Sequence, residues 1–160
     1  MDIYAFLEKV GVGYEKYEHP PVFTCEEARE QLPDLGAAET KNLFLKDKKG
    51  RHHFLVVMGY DTKVELKEIA RRLDVKSLSF CSPDRLRKYL GVEPGSVTML
   101  GLACDTEKVV ELVIEEQLWA QASFCCHPLV NTATLVIGKP ELEKFFRATG
   151  HGVKLVDFQS

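Results

Sequence analysis

The chain predicts an α+β fold, a single domain with a mixed, largely antiparallel sheet and helices around it. Three observations carry that expectation. KNLFLKDKKGRHHFLVVMG is a polar turn between two apolar runs, the pattern of a β-hairpin. Amphipathic helical spacing occurs at both ends, while the stretch from Val97 onward reads as β-rich. Helices and strands mix without the strict alternation of a parallel α/β chain. At 160 residues, 45% of them hydrophobic, one domain over 1–160 is long enough to bury a core without staples.

The elements follow in order. Asp2 caps a first helix whose Ile3, Phe6, Leu7 and Val10 share a face, and Gly11 and Gly13 end it. YEKYEHPP reads as a short strand running into a turn. Thr24-Cys25-Glu26-Glu27 has capping-box spacing, which predicts a helix from Cys25 to about Leu32, with loop over 33–38. The hairpin turns at 47–50, between Leu43 to Leu45 and Phe54 to Met58. VELKEIARRLDV has helical period, with Val64, Ile69 and Leu73 inward and Lys67, Arg71 and Arg72 outward. Ser82 and Pro83 open another helix and Gly91 closes it. VTMLGLAC, VVELVIEEQLWA, ASFCC and ATLVIG are then expected as strands. Pro140 starts a last helix with Leu142, Phe145 and Phe146 inside, Gly150 stops it, and VKLVDF is a closing strand.

Composition narrows the function classes. No apolar run approaches the roughly 20 residues that span a membrane. MDIYAFLEKV lacks a basic segment followed by an apolar one, so no signal peptide is expected and the location is cytoplasmic. A net charge of −3 argues against a protein coated for nucleic acid, though not against a local basic face. Of five cysteines, Cys81, Cys104, Cys125 and Cys126 lie in apolar, strand-like surroundings, as buried reduced thiols would.

Three stretches could carry chemistry. CCHPLVNTATL sets two cysteines and His127 ahead of Pro128. A zinc site needs ligands two to four residues apart, whereas Cys125 and Cys126 alternate to opposite faces of a strand. A thiol nucleophile needs a base and a thiolate-stabilising setting; small buried hydrophobes are the plainer reading of both cysteines. His127 either fixes the local turn or points out of the sheet. GVEPGSVTMLG places Gly95 and Ser96 in a turn whose N–H groups can converge on an anion, or form a plain loop. In TKNLFL, Lys41 at the mouth of an apolar strand can hold a phosphate, or simply be solvated. Lys67, Arg71 and Arg72 could track a nucleic-acid backbone; most such charged faces are only solvated.

These stretches occur in one order: EHPPVFTCEEA, TKNLFLKD, GVEPGSVTMLGL, CHPLVNTATL. From about Tyr14 to Phe158 the chain resembles the bacterial editing-domain family related to the insertion domain of prolyl-tRNA synthetase, the YbaK/ProX type. Within it the chain looks most like the ProX type, which removes alanine wrongly attached to proline tRNA. The resemblance implies a partly closed, barrel-like mixed sheet surrounded by helices, no cofactor and no metal. It places Lys41 against the terminal adenosine and its phosphate, and the glycine-loop motif on Gly95, Ser96, Val97, Thr98 and Met99. His127, with Asn131 and Thr132 continuing its motif, falls on the pocket for the amino-acid side chain. The partners implied are the acceptor end of mischarged tRNA(Pro) and prolyl-tRNA synthetase.

Two departures bear on this. Met99 stands where the family closes its loop with proline, so a looser loop, weaker activity or a different amino acid is expected. Leu135 stands where relatives often carry threonine. The implied chemistry is hydrolysis of an activated ester, with loop N–H groups holding the oxyanion and the neighbouring ribose hydroxyl orienting water. No protein nucleophile is needed, and the cysteines become packing. The alternatives are a non-catalytic tRNA-binding or regulatory module of the same fold, a deacylase for another mischarged tRNA such as cysteinyl-tRNA, and a thiol- or metal-dependent protein.

Overall fold

The computed structural model describes residues 1–21 and 35–159. The helix expected from Cys25 to about Leu32 and the start of the following loop lie outside the described residues. The rest forms two sheets. The five-stranded one has the order β4-β2-β3-β5-β8, built from β2 (Thr40–Asp47), β3 (His53–Gly59), β4 (Leu78–Phe80), β5 (Val110–Glu115) and β8 (Val153–Val156). The three-stranded one has the order β1-β7-β6, from β1 (Glu15–Glu18), β6 (Ser123–Cys126) and β7 (Ala133–Gly138). Pairing is antiparallel except along β3–β5 and β5–β8, so the sheet is mixed and largely antiparallel as expected. The arrangement is barrel-like without closing into a true barrel.

The hairpin explains itself chemically. The Asp47 carboxylate accepts the N–H groups of Arg51 (2.8 Å) and His52 (3.2 Å), and Gly50 takes the positive φ of 68° that the turn requires. Both faces of the hairpin are covered, which is why its apolar runs are continuous rather than alternating. Phe44, Leu55 and Val57 enter the larger core, while Leu45, Phe54, Val56 and Met58 enter a smaller one.

Helix α1 (Ile3–Val10) begins where Asp2 Oδ1 accepts the Ala5 N–H at 3.1 Å, and it ends on Gly11 at φ 76°. It packs on the larger core beside α5 (Lys139–Thr149), with Phe6 edge-on to Phe145 at 5.7 Å. Helix α2 (Leu66–Arg72) covers the smaller core with Ile69, and Leu73 follows it inward. Helix α3 (Pro83–Arg85) opens on Ser82 as predicted and runs into a π-helical turn, Leu86–Leu90, closed by Gly91 at φ 66°.

Three expectations need correction. VTMLGLAC is not a strand: Met99–Cys104 is a 3-10 helix, capped by the Thr98 hydroxyl, which accepts the Leu100 N–H at 3.2 Å. Met99 to Ala103 are all buried, so no exposed face reveals the period. Gly101 there meets the π-helical turn so closely that a Cβ would lie 2.9 Å from the Leu90 carbonyl oxygen. The strand VVELVIE stops at Glu115, and α4 (Glu116–Trp119) turns the chain back. Strand β4, three residues at the sheet edge, is too short to show alternation and was not expected.

The sheets meet at one joint that positions the candidate site. Ala38 forms a parallel bridge with Phe124, donating to the Ser123 carbonyl and accepting the Cys125 N–H, each at 2.9 Å. Two residues later β2 begins.

Candidate active site

Side chains of β2 alternate across its sheet, so Thr40 and Asn42 share the face of Phe44, and Lys41 shares the face of Leu43 and Leu45. On the first face, the Thr40 hydroxyl donates to the Cys125 carbonyl at 2.9 Å, tying the mouth of β2 to the end of β6. Asn42 Nδ2 donates to Thr40 Oγ1 at 3.4 Å, and its Oδ1 is buried with no donor among the described residues. On the second face, the Lys41 ammonium donates to the Thr62 carbonyl in the turn after β3.

His127 follows directly on β6. Its Nδ1 lies 3.3 Å from the Ala133 carbonyl oxygen, which makes Nδ1–H the donor and leaves Nε2 as an acceptor. Burial holds its pKa below the usual histidine value, with the Ala133 carbonyl pulling the other way and nearby His19 adding to the fall. The ring is therefore neutral at pH 7. His19 joins the same cluster: Nδ1–H donates to the Pro20 carbonyl (2.8 Å), so the Thr134 hydroxyl donates to Nε2 (2.9 Å), and the His19 N–H meets the Thr132 carbonyl at 3.0 Å. In the loop after His127, Leu129 sits at φ 68°, a conformation that costs a non-glycine residue about 1–2 kcal/mol. Asn131 is half-buried in this loop and Thr132 is exposed.

The turn containing Gly95 (φ 91°) does not enter a strand. Its hydrogen bonds run from the Ser96 N–H to the Glu93 carbonyl and from the Leu100 and Gly101 N–H groups to Thr98; those of Val97 and Thr98 take part in none of them. Val97 packs on the larger core, as do Ala38 and Leu129, so the turn and the joint between the sheets border one apolar interior. No hydrogen bond or ion pair links the turn directly to Lys41 or His127 among the described residues. Met99 is 1% exposed, and its side chain belongs to the core.

The basic candidates are partly committed elsewhere. Arg71 makes a two-pronged pair with Glu68 (3.0 and 2.6 Å) and Arg72 Nε reaches the same carboxylate at 2.8 Å, holding it down at about 2. Lys67 is exposed, and with Arg71 and Lys76 it lines an open groove of ≈ 640 Å³ beside α2 that also carries Asp74. Burial pushes the Cys126 thiol far above its ordinary pKa and the Cys81 thiol up to about 11, so both stay protonated and neither is an activated nucleophile. Cys104 lies in the 3-10 helix rather than in a strand. No three His, Cys, Asp or Glu side chains converge as metal ligands among the described residues, and no helix there is long and apolar enough to cross a membrane.

Sequence reasoning missed four residues that the fold brings to this region: His19, Asn42, Thr62 and Glu115. A signal existed for His19, since His19-Pro20 and His127-Pro128 are the same dipeptide. Glu115 was read as the interior of one long strand, and nothing local marks Thr62.

The chain is similar to known proteins in sequence and in fold. A family model for the aminoacyl-tRNA editing domain matches residues 19–145. The prolyl-tRNA editing protein ProX of Acetoanaerobium sticklandii is 37% identical over 155 residues, covering 97% of this chain and 94% of its own length. The prolyl-tRNA synthetase associated domain-containing protein 1 of Danio rerio is also 37% identical over 155 residues, covering 96% of this chain and 84% of its own. A crystal structure described as a candidate trans-editing enzyme for prolyl tRNA synthetase superposes with a TM-score of 0.71 over 98% of this chain and 94% of that one, at 20% identity. With a family model over most of its length and near-full-length relatives above 30% identity, the chain belongs to the aminoacyl-tRNA editing domain family.

Proposed function

We propose that residues 1–160 form one trans-acting aminoacyl-tRNA deacylase domain, a metal-independent ester hydrolase of translation quality control whose first substrate is alanyl-tRNA(Pro). One observation carries the reading: the strand end bearing Lys41 and Asn42 is tied through Thr40 to the strand that presents a neutral, partly buried His127. That assembly binds and orients, but it holds no activated nucleophile. An aminoacyl ester needs nothing more, because it is already activated.

In this reading Lys41 holds the phosphate of the terminal adenosine, a compact cation being suited to a single phosphate oxygen. The buried Asn42 Oδ1 lacks a donor among the described residues, and the α-ammonium or a ribose hydroxyl of the substrate supplies one. Water, oriented by the vicinal ribose hydroxyl, attacks the ester carbon. In the segment Gly95, Ser96, Val97, Thr98 and Met99, the N–H groups of Val97 and Thr98, which the turn's own hydrogen bonds do not use, hold the oxyanion. The ester C–O bond then breaks and the ribose oxygen takes a proton. His127, with Asn131 and Thr132 beside it, limits the side chains admitted. Such a second pocket is needed because one methylene is worth only about 1–3 kcal/mol in a first selection. Lys67, Arg71 and Arg72 are assigned to the acceptor stem, with Glu68 yielding Arg71 on binding. The domain works in the cytoplasm and receives its substrate from prolyl-tRNA synthetase.

The test is hydrolysis of alanyl-tRNA(Pro) beside cysteinyl- and prolyl-tRNA(Pro). Selective loss of alanine is expected. A preference for cysteine moves the assignment within the family. No turnover by folded protein favours the non-catalytic tRNA-binding module.

A further inference from the structure

The acceptor for Lys41 is itself held by a buried network. Thr62 is 8% exposed, and its N–H closes the turn onto the Gly59 carbonyl at 3.0 Å. Its hydroxyl lies 2.8 and 2.9 Å from the two carboxylate oxygens of Glu115, sharing one proton between them. Glu115, the last residue of β5, is 1% exposed and also accepts the Gly59 N–H (2.9 Å) and Gln159 Nε2 (3.0 Å). It lies on the same side of the sheet as Val113, hence on the Lys41 side, two strands away across Met58.

No ion pair engages Glu115 among the described residues; its donors there, the Gly59 N–H, the Thr62 hydroxyl and Gln159 Nε2, are all neutral. A carboxylate buried without a cation is an expensive way to brace a turn, and a well-packed apolar side chain would hold the fold more cheaply. What the carboxylate does provide is direction. It fixes the Gly59–Thr62 turn from both ends, and therefore the carbonyl on which the Lys41 ammonium rests. A lysine side chain loses substantial rotamer freedom when it is held, so a fixed acceptor lowers the cost of presenting its remaining N–H donors to a phosphate.

We infer that Glu115, acting through Thr62, is a positioning residue for Lys41. The inference rests on the proposed role of Lys41, and it is tested by a readout that does not need catalysis. Thr62→Val removes the hydroxyl yet keeps the backbone carbonyl that Lys41 uses, and Thr62→Ser restores the hydroxyl. Glu115→Gln keeps one acceptor oxygen and serves as a second, milder variant. Trace acetylation of the folded proteins with a water-soluble N-hydroxysuccinimide ester, read at Lys41 by peptide mass, reports how firmly the amine is held. Labelling of Lys41 is expected to accelerate several-fold in Thr62→Val, to return to the wild-type rate in Thr62→Ser and to fall between in Glu115→Gln. In the deacylation assay Thr62→Val is expected to lower kcat by about 10- to 100-fold, the range that misplacement of a binding group brings. In a Lys41→Ala background it should add nothing. Unchanged labelling in folded Thr62→Val and Glu115→Gln overturns the inference, whether or not the protein deacylates. So does an equal loss of turnover in both backgrounds. If the wild type fails to deacylate while labelling changes as expected, the functional reading falls and the clamp on Lys41 stands.

Discussion

The two faces of β2 at its Thr40–Asn42 end differ in how completely they are satisfied. On the Lys41 face, Glu115, Thr62, Gly59 and Gln159 hydrogen-bond one another and the lysine has a fixed acceptor. On the other face Asn42 keeps a buried oxygen with no donor among the described residues, beside a joint that leads to a neutral His127. Buried polar atoms in folded proteins nearly always have partners. A completed network is therefore scaffold, and an uncompleted one marks where a ligand supplies the missing donor. In the proposed reading, positioning falls to one face and selection to the other.

Cutting the first face is expected to have the largest effect. Lys41→Ala removes the cation while leaving the Thr62–Glu115 network in place. A fall in kcat/KM of about 10²–10³ is expected, comparable with loss of one preorganised donor at a reacting centre. The unfolding midpoint should move little, because a half-exposed lysine contributes little burial. Steady-state deacylation beside a thermal melt checks both, and near-normal turnover removes Lys41 from the site.

Cutting the second face should change selection more than rate. His127→Ala enlarges the pocket, so larger aminoacyl esters are expected to gain relative to alanyl by about 10- to 200-fold, the scale of discrimination by one or two methylenes. Competition between alanyl- and a bulkier aminoacyl-tRNA measures it. An unchanged size cut-off sinks the assignment of His127 as the sieve.

A smaller effect is read through pH. Burial lowers the pKa of His127, and burial with the neighbouring Arg85 charge lowers that of His53. A histidine whose folded pKa is below its unfolded one binds fewer protons when folded, so stability rises with pH. Its contribution is present above about pH 6.5 and is lost as pH falls toward the lowered folded value. Melting midpoints between pH 5 and 7.5 should therefore fall on the acid side, and less steeply in His127→Gln. Identical slopes for wild type and variant place the proton uptake elsewhere.

The sequence made legible what local chemistry dictates. The hairpin, the Asp2 and Ser82 caps and the Pro140 helix each announce themselves by spacing or by a turn residue. The motif resemblance added Lys41 and His127. What stayed hidden depends on contacts between distant segments. Glu115 and Thr62 meet 53 residues apart. Thr40 meets Cys125 across 85 residues. The 3-10 helix was hidden for a different reason: a segment buried on every side carries no periodic signal, and VTMLGLAC has the composition of a strand.

That hidden helix bears on the smallest expected effect, at Met99. Proline at this position, which the motif resemblance implies, requires an extended residue before it and a site at the start of a helix. Thr98 is extended at φ −156° and ψ 149°, and Met99 is the first residue of the 3-10 helix. The backbone is thus already shaped for proline, while the methionine side chain has found space in the core. Met99→Pro should leave kcat at the wild-type value, because the N–H groups of Val97 and Thr98 stay where they are. Stability should drop by about 1–3 kcal/mol, below the usual range for truncating a buried methionine to alanine because the ring refills part of the space. For a domain of this size each kcal/mol moves the melting midpoint by about 2–4 °C. A rise in kcat would show instead that methionine loosens the turn, and that a backbone already shaped for proline is not enough to hold it.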